Sequence, residues 1–201
     1  MFFVSNLSYF RHYFKNSIMR YLAITFTFLL FISCSINKTE ILEKGTYRAE
    51  LKVQDNQILP FLFKVKDANT IEVYNAEEVI EVDEIEYKND SVYIQTPVFE
   101  GYIVAKIKDQ KLTGSFIKES LDRIVPFSAE KSSTRFKYEL SKPITNISGN
   151  WETVFSPSSE ADKYIAKGIF KQKGNLVTGT FRTTTGDYRY LEGIISGDSL
   201  K

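Results

Sequence analysis

Cys34 is the one cysteine of this 201-residue chain, and it closes an apolar run, Tyr21 to Ser33, that follows directly on Met19-Arg20. A basic residue, an apolar stretch, a small residue and then a cysteine is the order in which a lipoprotein leader presents its thiol for lipid attachment. The run is about a dozen residues, short of the roughly 20 a helix needs to cross a bilayer. A leader is therefore the better reading than a transmembrane helix. Phe31-Ile32-Ser33-Cys34 supplies the lipobox, with Phe31 where Leu is usual. The competing outcome is plain cleavage near Ser33, which leaves a free thiol. Residues 1–18 carry scattered aromatics and the single histidine, His12, and read as an extension upstream of a true start at Met19.

After Ser33 the sequence holds no histidine and no thiol beyond Cys34 itself. That removes Ser-His-Asp and Cys-His nucleophile systems, zinc sites built on His or Cys, and CxxC redox chemistry. Carboxylate, Lys, Tyr or Ser chemistry is what remains, and no catalytic residue, metal site or cofactor motif is assigned. The acidic run from Glu77 to Glu86 lacks the Asp/Asn spacing and glycine of a calcium loop and reads as the solvated face of a strand. The most distinctive stretch is Thr183 to Gly193. Gly186-Asp187 suits a tight turn. On a strand after it, Tyr188, Tyr190 and Glu192 share one face, while Asp187 and Arg189 share the other and could pair. Pointed inward, that first face makes a polar pocket with two phenols and a carboxylate; pointed outward, it is a surface ladder. Trp151, the only tryptophan, follows Gly149-Asn150 at a strand start and is expected to plug one end of a barrel, with ligand stacking as its other role.

These groups need a scaffold, and the sequence predicts one made of strands. Phe and Tyr are abundant, 16 and 12 residues, and β-branched residues are common, both of which favour strands. From Gly45 on, apolar and polar residues alternate. Tyr47, Ala49, Leu51 and Val53 share a core face, and Arg48, Glu50 and Lys52 a water face. Further strands are predicted at 58–65, 79–87, 91–95, 102–107, 112–117, 124–128 and 191–195, with short polar turns between them. In 79–87 the apolar phase shifts at Ile85, which predicts a bulge or turn at Asp83-Glu84. The fold class is mainly β: an antiparallel meander closing as a barrel or sandwich, in one unit or as two related units. The boundaries read as a leader at 1–33, a tether at 34–44, a first unit at 45–131, a linker at 132–147 and a second unit at 148–201. Gly149-Asn150-Trp151 echoes Gly45-Thr46-Tyr47, and Lys173 to Phe181 echoes Lys108 to Phe116, each ending in Thr-Gly-small-Phe. Ser199-Leu200-Lys201 opens a strand at the end of the sequence, which reads as truncation of the second unit.

Asn75-Ala76-Glu77-Glu78, Asp90-Ser91-Val92, Val125 to Ala129 and above all Gly186-Asp187-Tyr188-Arg189-Tyr190-Leu191-Glu192-Gly193 carry a resemblance. Together with the leader, they resemble the N-terminal β-rich region of TlpA-type thioredoxin-like lipoproteins of Bacteroidota. The resemblance spans roughly Gly45 to the end. It implies a cell-envelope protein, lipid-anchored on the periplasmic or outer-membrane side. The partners implied are the membrane and a C-terminal thioredoxin-like domain or a periplasmic protein. The CxxC of that family is absent here, so no catalytic residue carries over. A net charge of +1 with no basic stripe argues against a nucleic-acid partner. The other reading is a free-standing lipocalin- or avidin-like binding lipoprotein, whose final strand would pair with its first.

Overall fold

The alternation that begins at Gly45 produces strands joined almost throughout by short turns, described in a computed structural model covering residues 39–137 and 140–201. Cys34, the run before it that reads as a leader, and His12 lie outside the described residues. Among the described residues no helix is long and apolar enough to cross a membrane. Nine strands form the first sheet: β1 (Gly45–Lys52), β2 (Ile58–Val65), β3 (Ile71–Asn75), β4 (Glu78–Val82), β5 (Ile85–Lys88), β6 (Ser91–Thr96), β7 (Gly101–Lys108), β8 (Lys111–Lys118) and β9 (Arg123–Lys131). Their order is β4-β3-β2-β1-β9-β8-β7-β6-β5, and every neighbouring pair is antiparallel.

Nine alternating strands cannot close a ring, because the last would run parallel to its neighbour. The seam resolves the conflict. Tracing directions through the antiparallel pairs shows that β4 and β5 point the same way, separated only by Asp83-Glu84. They are two halves of one broken strand, the first pairing with β3 and the second with β6. Ile80 and Val82 face the core on the first half, and Ile85 and Tyr87 on the second, so the inward phase slips by one residue at the break. The predicted strand 79–87 is thus divided where the sequence places its bulge. The barrel is nearly closed and behaves as one of eight strands, a size whose interior side chains can fill.

They do fill it. Tyr47, Phe63, Val92, Ile94, Leu112 and Phe127 are buried, and the Tyr47 and Phe63 rings stack at 5.2 Å between centroids. The prolines inside strands fall where a ladder is one-sided. Pro60 pairs with β1 but precedes the β3 contact, and Pro126 pairs with β8 but lies outside the β1 contact, as the missing amide hydrogen requires.

One end of the barrel is stoppered by Leu42, which is 4% exposed. Gln110, in the β7–β8 turn, holds that segment in place. Its Oε1 accepts from the Glu43 amide (2.8 Å) and from the Tyr47 hydroxyl (2.7 Å), and its Nε2 donates to the Ile41 carbonyl (3.1 Å). The expected tether at 34–44 is therefore bound to the barrel over its described C-terminal half. Trp151 does not plug the barrel as expected. It lies on the second sheet, 49% exposed, with its indole nitrogen donating to the Ile147 carbonyl at 2.8 Å.

The second sheet is a meander of β10 (Gly149–Phe155), β11 (Tyr164–Lys173), β12 (Leu176–Arg182), β13 (Leu191–Ser196) and β14 (Ser199–Leu200), in that order. The last strand pairs with β13, whereas β1 is closed by β9. Barrel closure by the final strand, expected under the binding-lipoprotein reading, is therefore corrected: the barrel closes within the first unit. The two echoes in sequence match in geometry. Gly45 and Gly149 both open strands with positive φ. Gly114 and Gly179 both sit where a neighbouring backbone passes too close for a Cβ, 1.9 Å from the Val104 carbonyl oxygen and 2.4 Å from that of Ile169.

Candidate functional site

Two surfaces gather the residues with chemical potential: the junction between the sheets, and the barrel rim opposite Leu42.

The junction begins on the outer face of β1, which the sequence assigns to water. Arg48 is nevertheless 4% exposed. Its Nε donates to the Arg135 carbonyl at 2.6 Å, and its guanidinium pairs with Glu50. The covering segment is the start of the linker, which crosses β1 after β9 ends. Arg135 continues the chain of contacts, with its Nε on the Pro60 carbonyl (2.9 Å) and its Nη1 on Glu192 of β13 (2.9 Å). Lys137 pairs with Glu130 and holds that carboxyl below its ordinary range through the hydrogen bond. On a strand face predicted as solvent, Arg48 is thus buried, its charge met by Glu50 of the same strand and its Nε by a linker backbone carbonyl, while Lys52 stays exposed.

The stretch Gly186 to Gly193 supplies the rest of the junction, and it is not a regular strand. Arg189 takes φ +38, which breaks the alternation on which a shared Tyr188–Tyr190–Glu192 face depends. Each residue goes to a different place. Tyr188 stacks on Phe155 (5.7 Å between centroids), which stacks in turn on Tyr164 (4.9 Å), and Phe181 meets Phe155 edge-on at 5.1 Å. The Tyr188 hydroxyl contacts that of Tyr164, a hydrogen bond that pushes the Tyr164 phenol above its ordinary range and so opposes its ionisation. Arg189 pairs with Glu78 and not with Asp187. The Tyr190 carbonyl accepts from Asn75 Nδ2 at 2.6 Å, and Glu192 meets Arg135. The pocket reading, one of the two left open for Tyr188, Tyr190 and Glu192 and including Trp151, is therefore not met: these side chains are dispersed. In its place is a cleft of about 470 Å3 between the β3–β4 turn and the second sheet, with Glu77, Lys171, Thr178, Thr180, Arg189 and Tyr190 in its wall. Two segments singled out in sequence, Asn75 to Glu78 and Gly186 to Gly193, meet here.

The rim opposite Leu42 has a different chemistry. Turns at the Leu42 end are tight and polar, such as Asn89-Asp90 and Asp109-Gln110. At the far end the β6–β7 and β8–β9 loops are both single 3₁₀ turns capped by a left-handed residue, Glu100 and Asp122. Equivalent positions carry Phe99 and Leu121, 43% and 59% exposed. Val53, Ile58 and Leu59 at the β1–β2 turn, and Ile124 at the start of β9, are exposed too. The two 3₁₀ loops are tied together: Lys118 bridges to Glu100 at 2.8 Å, and the Tyr102 hydroxyl donates to Glu119 at 3.0 Å. The hydrogen bond and charge of Lys118 hold the Glu100 carboxyl below its usual range. A shallow groove between the loops is lined by Glu84, Glu100 and Glu119. This apolar rim was missed in sequence. Its signal was the apolar residues placed in two turns, Val98-Phe99 in one and Leu121 in the other.

Within the acidic run 77–86, Ile80 and Val82 are buried and Glu81 and Asp83 are exposed, as expected of a solvated face, except that Glu78 is largely covered and paired with Arg189. Among the described residues no group of His, Cys, Asp and Glu is arranged to hold a metal ion. No protein-family model, curated protein or solved structure matches the chain.

Proposed function

We propose that the chain is a membrane-anchored, non-catalytic β module, the accessory N-terminal region of a periplasmic thioredoxin-like thiol–disulfide oxidoreductase. Cys34 carries the lipid. The barrel presents its apolar rim to the redox domain or to that domain's protein partner. The observation that carries this reading is the rim itself: apolar side chains on braced loops, at the end of the barrel away from the segment that leads back to Cys34. Exposed apolar side chains gathered at one end of a polar protein and rimmed by charged residues are the kind of surface that marks an interaction site. A second support is that two segments resembling the TlpA-type family close on one another as a structural clamp.

A free-standing binding lipoprotein remains the alternative, and the cleft beside Tyr190 favours it. Side chains fill the barrel, so on this reading a ligand takes the cleft and not a lipocalin-like interior. Intact-mass analysis of the native protein extracted from membranes separates the two. The proposal expects a lipidated species that starts at Cys34 and runs on into a segment containing Cys-x-x-Cys. A lipidated species ending at Lys201 contradicts the fragment reading and leaves the binding lipoprotein.

A further inference from the structure

We infer that β10 is a self-pairing edge through which two copies of this chain join their second sheets into one. β10 pairs with β11 on one side and has no strand partner on the other among the described residues. Its seven residues, Gly-Asn-Trp-Glu-Thr-Val-Phe, span about 23 Å of edge. Natural edges are blunted by proline, charged side chains, bulges or short length; β10 carries a single charge, Glu152, and no proline, lysine or bulge. The other free edges are blunted further: β14 is two residues long, and β4 and β5 carry Glu78, Glu81, Glu86 and Lys88. Trp151 and Val154 on this edge are half exposed.

The sequence of β10 specifies the occupant as a second copy. In antiparallel pairing about Thr153, Thr153 lies opposite Thr153 of the second copy. Trp151 then lies opposite Phe155 of the second copy, twice over, and each Glu152 lies opposite Val154. Aromatic pairs of this kind stabilise antiparallel ladders. The register also keeps the two aromatic faces, each built on Phe155, Tyr164, Phe181 and Tyr188, on one side of the joined sheet. Shifting the centre to Glu152 would set two like charges face to face, which selects against that alternative.

The test uses the full chain purified in detergent. Light scattering across micromolar to millimolar concentrations is expected to show a monomer–dimer equilibrium, and Thr153→Lys should raise its dissociation constant about tenfold or more. Opposed residues in an antiparallel pair have Cα atoms about 4.5–5.5 Å apart, within the span of a disulfide. Thr153→Cys is therefore expected to give a covalent dimer on mild oxidation, and Glu152→Cys, displaced by two positions from its own copy, to give little. Three results would overturn the inference: a monomer at every concentration, equal cross-linking at 152 and 153, or pairing only with a strand of an unrelated protein.

Discussion

Glu192→Gln tests whether the two sheets are held by a buried charge. The Glu192 carboxylate lies 2.9 Å from Arg135 Nη1, and the two side chains are 19% and 12% exposed. Removing one partner of a buried pair costs about 3–5 kcal/mol, because the other charge is left without compensation. Arg135 keeps its bond to the Pro60 carbonyl, and its residual exposure admits some screening, so we expect about 2 kcal/mol. At about 1.4 kcal/mol per factor of ten, the second sheet would separate from the barrel about 25 times more often. Trp151 is the only tryptophan and sits on β10, so its fluorescence in urea follows the second sheet, while far-UV circular dichroism is weighted to the barrel. The expected result is a fluorescence transition moved to lower urea, with the barrel transition in place. Replacing both charges, with Arg135→Met added, should recover at least about 1 kcal/mol through their coupling. A loss under about 0.5 kcal/mol for Glu192→Gln, within the range of an ordinary surface change, would refute the reasoning.

Burial pushes the Tyr47 phenol from near 10 up to about 12, with the Glu43 carboxylate adding to the effect. The folded state holds this proton more tightly than the unfolded chain. The resulting stability, about 3 kcal/mol, is complete below pH 10 and lost as pH rises towards 12. Circular dichroism with tyrosinate absorbance should show alkaline unfolding in that window, flattened in Tyr47→Phe. Gly114→Ala would put a Cβ 1.9 Å from the Val104 carbonyl oxygen, forcing β7 and β8 apart, and should cost about 3 kcal/mol in chemical denaturation. Gln110→Ala removes the acceptor of the Glu43 amide and the Tyr47 hydroxyl. It should free residues 39–44, seen as faster amide exchange at Glu43, with a loss of about 1–2 kcal/mol.

The barrel was legible because period-2 alternation is the direct imprint of a wall with one wet side. The break at Asp83-Glu84 was legible for the same reason: a slip of one residue in that alternation has to appear as a break in the strand. What the alternation could not show is which wet faces become covered. Arg48 looks like any outward residue of β1, and its burial depends on Arg135, 87 positions later, crossing it. The shared face read for Tyr188, Tyr190 and Glu192 failed for a local reason. It assumed an extended backbone through a residue, Arg189, that adopts a left-handed conformation. Trp151 was misplaced because the start of β10 resembles that of β1, and the resemblance is of turn and strand chemistry without the barrel around it.

The proposed role of the braced apolar rim is to dock a thioredoxin-like partner. It is tested most directly by placing a photo-cross-linking residue at Leu121 in the protein in its native envelope and sequencing the adduct. The expected product is joined to a polypeptide segment bearing Trp-Cys-x-x-Cys and is lost on Phe99→Ser. Adducts confined to other proteins, or none from Leu121 while a probe at Ile165 on the second sheet reacts, would contradict it.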